Sequence, residues 1–320
     1  MDESSWRATL AQALAARDLA TVRRIPKADL HCHGSLSAPI ETYEQLAGQA
    51  LPPVPKAFGG FEPFGDYIAT NLLPILARGR SVVAAVIRAA FERFVADGVT
   101  YAEPSFDLLL PGFIEMSVGE FAALLVAEAA RLADRIIIAP EIGIDRSLPP
   151  EAIRPLLREW LDTGVFRSLD LYANENDGVI DEFVPLYRLA ADYGLKLKAH
   201  AGELCGPDRV RESVQKLDLH AVQHGVRAVE SADLVAHLAQ RGTLLHLCPT
   251  SNCSLGVCAT YATHPARDLF DGGVRLTVNS DDYTLFGVGV SEELLNLTRM
   301  GFTPDDIVKI VDIGLAERPT

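Results

Sequence analysis

Residues 28 to 37 read ADLHCHGSLS, and they place two histidines at the end of an apolar run that is typical of a β-strand. His31 and His33 are two positions apart, so on a strand both imidazoles point to one face while Cys32 points to the other. Two imidazoles on one face indicate a metal site if other parts of the chain bring further ligands to the same place. The fold of the flanking sequence decides whether they do.

Short apolar or β-branched runs alternate with longer helical patterns along the chain. The runs predicted as strands are 25–31, 99–103, 136–143, 166–172, 195–200, 220–224, 243–248 and 274–279. The segments predicted as helices are 81–97, 117–134, 150–163, 180–193, 207–216, 230–241, 264–272, 291–300 and 303–315. This alternation indicates parallel strands joined by right-handed crossovers. An α/β fold of the closed (β/α)8 TIM barrel type is predicted, and an open doubly wound sheet is the competing arrangement.

The connection after the first strand is irregular. Residues 51–65, LPPVPKAFGGFEPFG, are rich in proline, glycine and phenylalanine, and we predict that they belong to a lid excursion over the barrel mouth. No G-x-G-x-x-G pattern follows the first strand, which removes the usual reason to favour a dinucleotide fold. Without a repeat, a low-complexity tract or a linker, residues 1–320 are predicted to form a single metal-dependent hydrolase domain.

Composition and charge narrow the class of partner. The 320 residues are 48% hydrophobic and 22% charged, and their formal net charge is -14. The acidic balance and the lack of a basic stretch disfavour nucleic acid as a partner. No apolar run is long enough for a membrane span, and the charged N-terminal helix pattern lacks the apolar segment of a signal peptide. Five cysteines fit a reducing cytoplasm, so we expect a cytoplasmic enzyme with a small-molecule substrate.

Histidines and acids recur where the predicted strands end. In a barrel these ends meet at one rim, where active sites lie. The motifs are HAGE after the fifth strand, QHG after the sixth and NSDD after the eighth. They contribute His200, Glu203, His224, Asp281 and Asp282. Such a set at one rim indicates a catalytic metal centre.

Zinc binds imidazole nitrogens and carboxylate oxygens and keeps one position open in catalytic sites. We predict one zinc ion per chain, although iron, cobalt or manganese could use the same ligands. The predicted ligands are His31, His33, His200 and Asp281. Zinc lowers the pKa of a bound water from about 15.7 to about 7, and Glu203, His224 and Asp282 remain as acid–base groups beside it.

The remaining charged and sulfur-containing residues are predicted to be structural. Strand alternation turns Asp29 and Lys198 inward, where Lys198 is expected to pair with Asp29 or Asp170. The cysteines Cys248, Cys253 and Cys258 are expected to be ordinary packing or loop residues. Among the other histidines, His237 and His264 are predicted to be solvated, and His220 and His246 to have packing roles.

Collected in order, the motifs resemble those of the adenosine deaminase family in the amidohydrolase superfamily. The matching segments are PKADLHCH (26–33), DLYANEN (170–176), HAGE (200–203), QHGVRA (223–228), LCPTSNCSLG (247–256) and VNSDD (278–282). The resemblance implies a zinc-dependent barrel that hydrolyses the exocyclic amine of a 6-aminopurine and releases ammonia. It implies the same four metal ligands as the residue types do.

The resemblance also implies a division of roles. Glu203 would protonate the ring nitrogen N1, which requires a raised pKa such as burial provides. His224 would orient the attacking hydroxide with the help of Asp281. Asp282 would hydrogen-bond the purine at N7.

Two departures from the family pattern concern the substrate. After His33 the chain continues directly with Gly34 and Ser35, so the acid that meets a ribose hydroxyl in the family is missing. Ala173 stands where the family usually has a glycine close to purine N3. Ser35 and Ala173 are therefore predicted to be substrate-contacting positions. Adenosine, a free base and a 6-aminopurine with a bulkier apolar substituent all remain candidates, with Phe58, Phe61 and Phe64 as candidate apolar contacts.

Two other functions remain as alternatives. Another amidohydrolase reaction, on an amide, a lactone or a phosphoester, would also use the H-x-H pair. A non-catalytic binding protein on a retained barrel would be expected to have lost some ligands, and here every ligand position is filled. The zinc enzymes of the cytidine deaminase type are excluded because their H-x-E and P-C-x-x-C signature is missing.

Overall fold

The computed structural model describes residues 3–319, and its strands lie close to the predicted positions. The strands are β1 (Lys27–His33), β2 (Val99–Asp107), β3 (Ile137–Ile138), β4 (Glu141–Asp145), β5 (Ser168–Tyr172), β6 (Lys196–Ala201), β7 (Ala221–His224), β8 (Leu244–Leu247) and β9 (Arg275–Val278). All pairs are parallel, in the order β1-β2-β4-β5-β6-β7-β8-β9, and β3 pairs only with β2. An isolated parallel bridge between Cys32 and Asp281 joins the two ends of this order. The chain is thus a (β/α)8 barrel, as predicted.

Helices follow the strands on the outside. They are α1 (Glu3–Ala16), α2 (Leu19–Val22), α3 (Ile40–Ala47), α4 (Phe61–Tyr67), α5 (Leu73–Leu76), α6 (Arg80–Ala96), α7 (Leu110–Phe113), α8 (Val118–Ala130), α9 (Pro150–Asp162), α10 (Ile180–Asp192), α11 (Pro207–Leu217), α12 (Ala232–Arg241), α13 (Pro249–Ser254), α14 (Ala266–Asp271), α15 (Tyr283–Phe286), α16 (Val290–Leu297) and α17 (Pro304–Ala316). Across residues 3–319, no helix combines the length and the apolar character that crossing a bilayer requires.

Two strands differ from their predicted bounds for identifiable reasons. The predicted strand 136–143 is divided into β3 and β4, with Pro140 between them, because proline has no N–H to donate to a ladder. Strand β2 continues to Asp107, past the predicted end at residue 103. Its extension contains Pro104 and Ser105, which weaken the sequence pattern of a buried strand.

The lid excursion between β1 and α6 contains more regular structure than its composition indicates. Helices α3, α4 and α5 lie in it, with a π-helical segment at Ile68–Leu72 between the last two. The backbone N–H groups of Phe58 and Gly59 both donate to the Ser254 carbonyl of α13, at 2.8 and 3.0 Å. Phe64 stacks on Phe286 with ring centroids 6.0 Å apart. The lid is thereby anchored to the opposite side of the barrel mouth.

A buried charge cluster lies in the barrel below the site. The Lys198 ammonium is fully buried and contacts the carboxylates of Glu103, at 2.5 Å, and Glu141, at 2.7 Å. It also donates to the Leu30 carbonyl at 3.0 Å. Burial opposes its charge, but the two carboxylates raise the pKa of Lys198 above its usual value. The predicted pairing of Lys198 with Asp29 or Asp170 is therefore wrong.

The two predicted partners have other contacts. Asp29 accepts hydrogen bonds from the backbone and hydroxyl of Ser280, at 3.1 and 2.5 Å, and lies 3.8 Å from the Arg93 guanidinium of α6. The register of β1 against β2 shifts between Asp29 and Cys32, so simple alternation does not hold along this strand. Asp170 contacts His200.

Candidate active site

Four imidazoles converge at the carboxyl ends of three strands. His31 and His33 come from β1, His200 from β6 and His224 from the last position of β7. The ring centroid of His31 lies 5.7 Å from that of His33, 4.7 Å from His200 and 4.6 Å from His224. The rim thus brings together the histidines that the motifs identified.

Asp281 joins this cluster from beyond the end of β9. Its Oδ1 lies 3.3 Å from His31 Nε2 and 3.5 Å from His33 Nε2. The backbone fixes the position, because the Asp281 N–H donates to the His31 carbonyl at 3.0 Å and the His33 N–H donates to the Asp281 carbonyl at 3.3 Å. Asp281 has a φ of +55°, which a non-glycine residue adopts only when surrounding contacts impose it.

The donor set fits a divalent metal ion. Ligand atoms of His31, His33 and Asp281 lie within 4.8 Å of one another, as do those of His31, His200 and His224. His31 is 1% exposed, and among the described residues neither of its ring nitrogens has a hydrogen-bond partner. Because buried polar atoms are normally satisfied, such a group fits a ligand whose partner is a metal ion.

The orientation of His200 also fits a ligand role. Its Nδ1 lies 3.2 Å from Asp170 Oδ1, so Nδ1–H donates to the carboxylate and the lone pair of Nε2 is available to the site. Burial opposes the charge of Asp170, but His200 lowers the pKa of that carboxyl below its usual value. Arg146 holds the strand end by donating to the His200 carbonyl at 2.6 Å.

A chain of hydrogen bonds determines the tautomer of His224. The backbone N–H of Ala266 donates to His264 Nδ1 at 3.1 Å, so the proton of His264 is on Nε2. His264 Nε2 lies 3.2 Å from Asn252 Oδ1, which must therefore be the acceptor. The Asn252 amide nitrogen then faces His224 Nδ1, at 3.0 Å, and donates to it. His224 consequently carries its proton on Nε2, which makes it a hydrogen-bond donor to the site rather than a metal ligand.

The structure tests the predictions for His264 and His246. His264 is 5% exposed, and burial lowers its pKa to about 4, so the prediction that it is solvated is wrong. His246 is buried beside Gln223, with Nδ1 2.9 Å from its Oε1, which confirms a packing role.

Cys248 lies near His224 and Asp281 and forms a third possible ligand group with them. Burial raises the pKa of the Cys248 thiol well above its usual value, which disfavours the thiolate that a metal would require. The set of His31, His33, His200 and Asp281 therefore fits a metal ion better than the group that contains Cys248.

Two acids, Glu203 and Asp282, line a cavity of about 210 Å³ together with members of the cluster. Burial and the Asp281 carboxylate raise the pKa of Glu203 well above its usual range. The same two causes raise the pKa of Asp282. Asp282 Oδ1 is buried and has no hydrogen-bond partner among the described residues. The cavity therefore has two acids that can hold protons near neutral pH and one polar atom that lacks a partner.

The walls of this cavity are mainly apolar. Its lining includes Phe61, Phe64, Ile68, Leu73 and Leu255 from the lid and from the chain after α13. Phe58 is buried behind this wall, where its ring centroid lies 5.4 Å from that of Phe64. A flat aromatic ring with polar edges suits an apolar slot that ends in acids.

Glu175 positions the turn that carries Glu203. Its carboxylate accepts four backbone hydrogen bonds, from Gly202, Glu203, Leu204 and Cys205, at 2.5 to 3.1 Å. Four donors on one carboxylate fix the turn after β6 and thereby aim the Glu203 side chain.

Ala173 and Ser35, the two positions that depart from the family pattern, line different cavities. Ala173 lines the cavity of Glu203 and has a φ of +72°, a conformation that favours glycine. Ser35 instead lines an adjoining cavity of about 350 Å³, which shares His33, Tyr172 and Asp145 with the first. Residue types and spacing predicted neither the adjoining cavity nor its shape.

The sequence motifs also contain two residues that shape the site, Glu175 and Asn252, for which the residue pattern predicted no role. Glu175 and Asn252 lie inside the segments DLYANEN and LCPTSNCSLG. A polar residue in an otherwise buried segment indicates a specific partner. The partners of these two residues lie in other parts of the chain, so the sequence did not identify them. Arg146 lies outside every motif, and its role in holding β5 and β6 is visible only from contacts.

The barrel and its rim of histidines and carboxylates define an amidohydrolase. A sequence profile of the adenosine deaminase family matches residues 26–315. A putative adenosine/adenine deaminase from Treponema pallidum is 30% identical over 289 residues, which cover 89% of this chain and 95% of that protein. The chain therefore belongs to the adenosine deaminase family.

Solved structures agree in fold. An adenine deaminase from Arthrobacter aurescens superimposes with a TM-score of 0.83 at 24% identity, over 92% of this chain and 94% of that one. An amidohydrolase from Burkholderia ambifaria, solved with bound Zn, has a TM-score of 0.81 at 22% identity, over 95% and 88% of the two chains. At sequence identities of 24% and 22%, the similarity shows a shared fold.

Proposed function

We propose that this chain is a hydrolytic deaminase that removes the 6-amino group of a purine and releases ammonia. The observation that carries the proposal is the apolar cavity that ends in Glu203, His224, Asp281 and Asp282. A protonated acid, a neutral histidine with a defined tautomer and a carboxylate are then placed around one edge of a planar ring.

The proposed metal is zinc, held by His31, His33, His200 and Asp281. When bound, it would supply a water that ionises near neutral pH, at about pH 7. His224 would offer its Nε2–H to the attacking water, since its Nδ1 is occupied by Asn252. Glu203 gives its proton to N1, which makes C6 electrophilic. Asp282 binds N7 through the carboxyl group that has an oxygen without a partner.

We infer that the substrate carries an uncharged apolar substituent at N9. Glu203, His224, Asp281 and Asp282 surround N1, C6 and N7 in this arrangement, and none of them lines the adjoining cavity. We place the remaining edge of the ring, which carries N3 and N9, toward that cavity. Its lining includes Leu76, Leu109, Leu110 and Phe113, together with the carboxylates of Asp107 and Asp145. An apolar group fits this lining, and an anionic group is disfavoured.

Ammonia release from metal-analysed protein tests the function. The panel contains adenine, adenosine, 2′-deoxyadenosine, N6-substituted adenines, 5′-modified and N9-extended adenosines, and guanine and cytosine as controls. We expect 6-aminopurines with apolar N9 extensions to have a higher kcat/KM than adenine. Leu109→Trp should narrow the adjoining cavity and reverse that preference, because the Leu109 side chain lines only this cavity.

Val126→Trp is the matched control, since Val126 is 51% exposed on α8 and lines neither cavity. A higher kcat/KM for adenine than for every extended compound would contradict the substrate proposal but not deamination. No ammonia from any 6-aminopurine, with metal bound, would favour another amidohydrolase reaction instead.

His264→Leu is expected to lower kcat without loss of metal. The variant removes the donor to Asn252 Oδ1, so the amide is free to turn and the tautomer of His224 is no longer defined. Leaving a buried hydrogen-bonding group without its partner costs about 1–3 kcal/mol. Since about 1.4 kcal/mol is tenfold in rate, kcat should fall by about tenfold to a hundredfold.

The measurement is steady-state kinetics together with metal analysis and the ¹⁵N shifts of the His224 ring. His264→Gln retains an N–H donor and should recover part of the rate. His237→Leu, at a partly exposed position on α12, is the control. Unchanged ¹⁵N shifts of His224 in His264→Leu would show that the tautomer does not depend on His264.

A further inference from the structure

Two cysteines meet in the turn after α13. Cys253 lies in the last turn of this helix and Cys258 follows it, with the two Sγ atoms 2.9 Å apart. The carbonyl of Asn252 closes the turn by accepting from the N–H groups of Val257, at 2.9 Å, and Cys258, at 3.3 Å. Both thiols are unbonded to another cysteine in the structure. The sequence-based expectation of ordinary packing residues does not account for this approach.

The two thiols differ in pKa and in exposure. The hydrogen bond from Cys258 lowers the pKa of the Cys253 thiol, and the same bond raises the pKa of Cys258. Cys253 is partly exposed and Cys258 is buried behind it. A disulfide has an S–S distance of about 2.05 Å, so the sulfur atoms need to approach by less than about 1 Å.

We propose that Cys253 and Cys258 form a reversible modification site at which a peroxide converts the dithiol into a disulfide. The Cys253 thiolate attacks one peroxide oxygen, the O–O bond breaks, and the departing hydroxide takes a proton to become water. The sulfur of Cys258 then attacks the resulting sulfenic acid. The S–S bond forms, the S–O bond breaks, and a second water leaves with the proton of Cys258. Two thiols are oxidised, and one peroxide is reduced to two waters.

The modification is coupled to the active site through Asn252. Asn252 directly precedes Cys253, its carbonyl closes the turn, and its amide nitrogen contacts His224 Nδ1 at 3.0 Å and Glu203 Oε1 at 3.3 Å. Closing the disulfide displaces Cys253 and changes the position of that amide. Oxidation is therefore expected to lower kcat several-fold, and reduction should restore it. This coupling rests on the proposed function, whereas the modification itself does not.

The modification is tested on the full chain, loaded with metal, by mass spectrometry after treatment with hydrogen peroxide at low molar excess. The tryptic peptide 242–267 contains Cys248, Cys253 and Cys258. We expect this peptide to lose two hydrogen atoms, to resist fragmentation between residues 253 and 258, and to return to its original mass after phosphine reduction. Cys253→Ser and Cys258→Ser should each abolish the change, and Cys205→Ser should not.

Independent overoxidation of both thiols, without the loss of two hydrogens, would overturn the proposal. The coupling to the site is tested by the ratio of kcat before and after oxidation. The control is the double variant Cys253→Ser and Cys258→Ser, which retains every proposed metal ligand. Equal kcat ratios for the wild type and the double variant would overturn the coupling. If the protein proves to have no deaminase activity, the mass measurement still decides the modification.

Discussion

Glu203→Gln is expected to retain bound metal and to lose about 10²–10⁴-fold in kcat. The substitution keeps the shape of the side chain and an oxygen that can accept from the Asn252 amide nitrogen, but it removes the proton that Glu203 is proposed to give to N1. General acid catalysis of this kind contributes about 10²–10⁴-fold. Burial and the nearby Asp281 carboxylate raise the pKa of Glu203 well above its usual value, which favours the protonated form. Steady-state kinetics with the preferred substrate of the panel, together with metal analysis, measures the effect.

His200→Ala is the contrasting variant. It removes an imidazole that Asp170 and the barrel hold toward the cluster, so both metal and activity should be lost. The pair of variants separates proton transfer from metal binding. A near-normal kcat in Glu203→Gln would mean that another group protonates the ring. Loss of metal from Glu203→Gln would mean that its carboxylate belongs to the ligand set.

Lys198→Met is expected to lower the free energy of unfolding by about 3–5 kcal/mol, because removing one partner of a buried ion pair leaves uncompensated charge. Here the ammonium is the ion-pair partner of both Glu103 and Glu141, which are each 1% exposed or less. Denaturant unfolding monitored by circular dichroism at neutral pH measures the difference. Replacing Glu103 and Glu141 by glutamine in the same chain should recover part of the stability.

Lys196→Met provides the matched control, because Lys196 contacts the same Glu103 at 3.4 Å from a position where its side chain is 31% exposed. Partly exposed pairs of this kind contribute about 0–1 kcal/mol. A loss as small as this in Lys198→Met would show that the interior admits water or that the two glutamates share a proton.

The barrel and the members of the cluster were predictable because both depend on local patterns. Alternating strands and helices fix the order of a parallel sheet, and the rule that strand ends share one rim places His31, His200 and Asp281 together. The positions of helices also followed from local chemistry. The predicted helix 303–315 corresponds to α17, which Thr303 caps by accepting the Asp306 N–H at 3.2 Å, with Pro304 as the first helical residue.

The partners of buried polar groups were not predictable in the same way. The pairing of Lys198 was assigned wrongly, although Glu103 ends a predicted strand, because no local pattern shows which buried carboxylate of another strand meets the ammonium. His264 was assigned to solvent because it lies in a loop, whereas its position depends on Asn252 and the Ala266 N–H. Such contacts join segments that no local pattern relates. The adjoining cavity depends in the same way on where the lid lies against β2 and β4.

The closure of the barrel has a consequence for how the protein acquires metal during synthesis. The bridge between Cys32 and Asp281 connects the first strand of the barrel to the segment after the last one. His31 and His33 leave the ribosome about 250 residues before Asp281 does. A nascent chain that lacks Asp281 therefore cannot assemble the proposed four-ligand set, and metal uptake through that set would follow synthesis of the segment after β9.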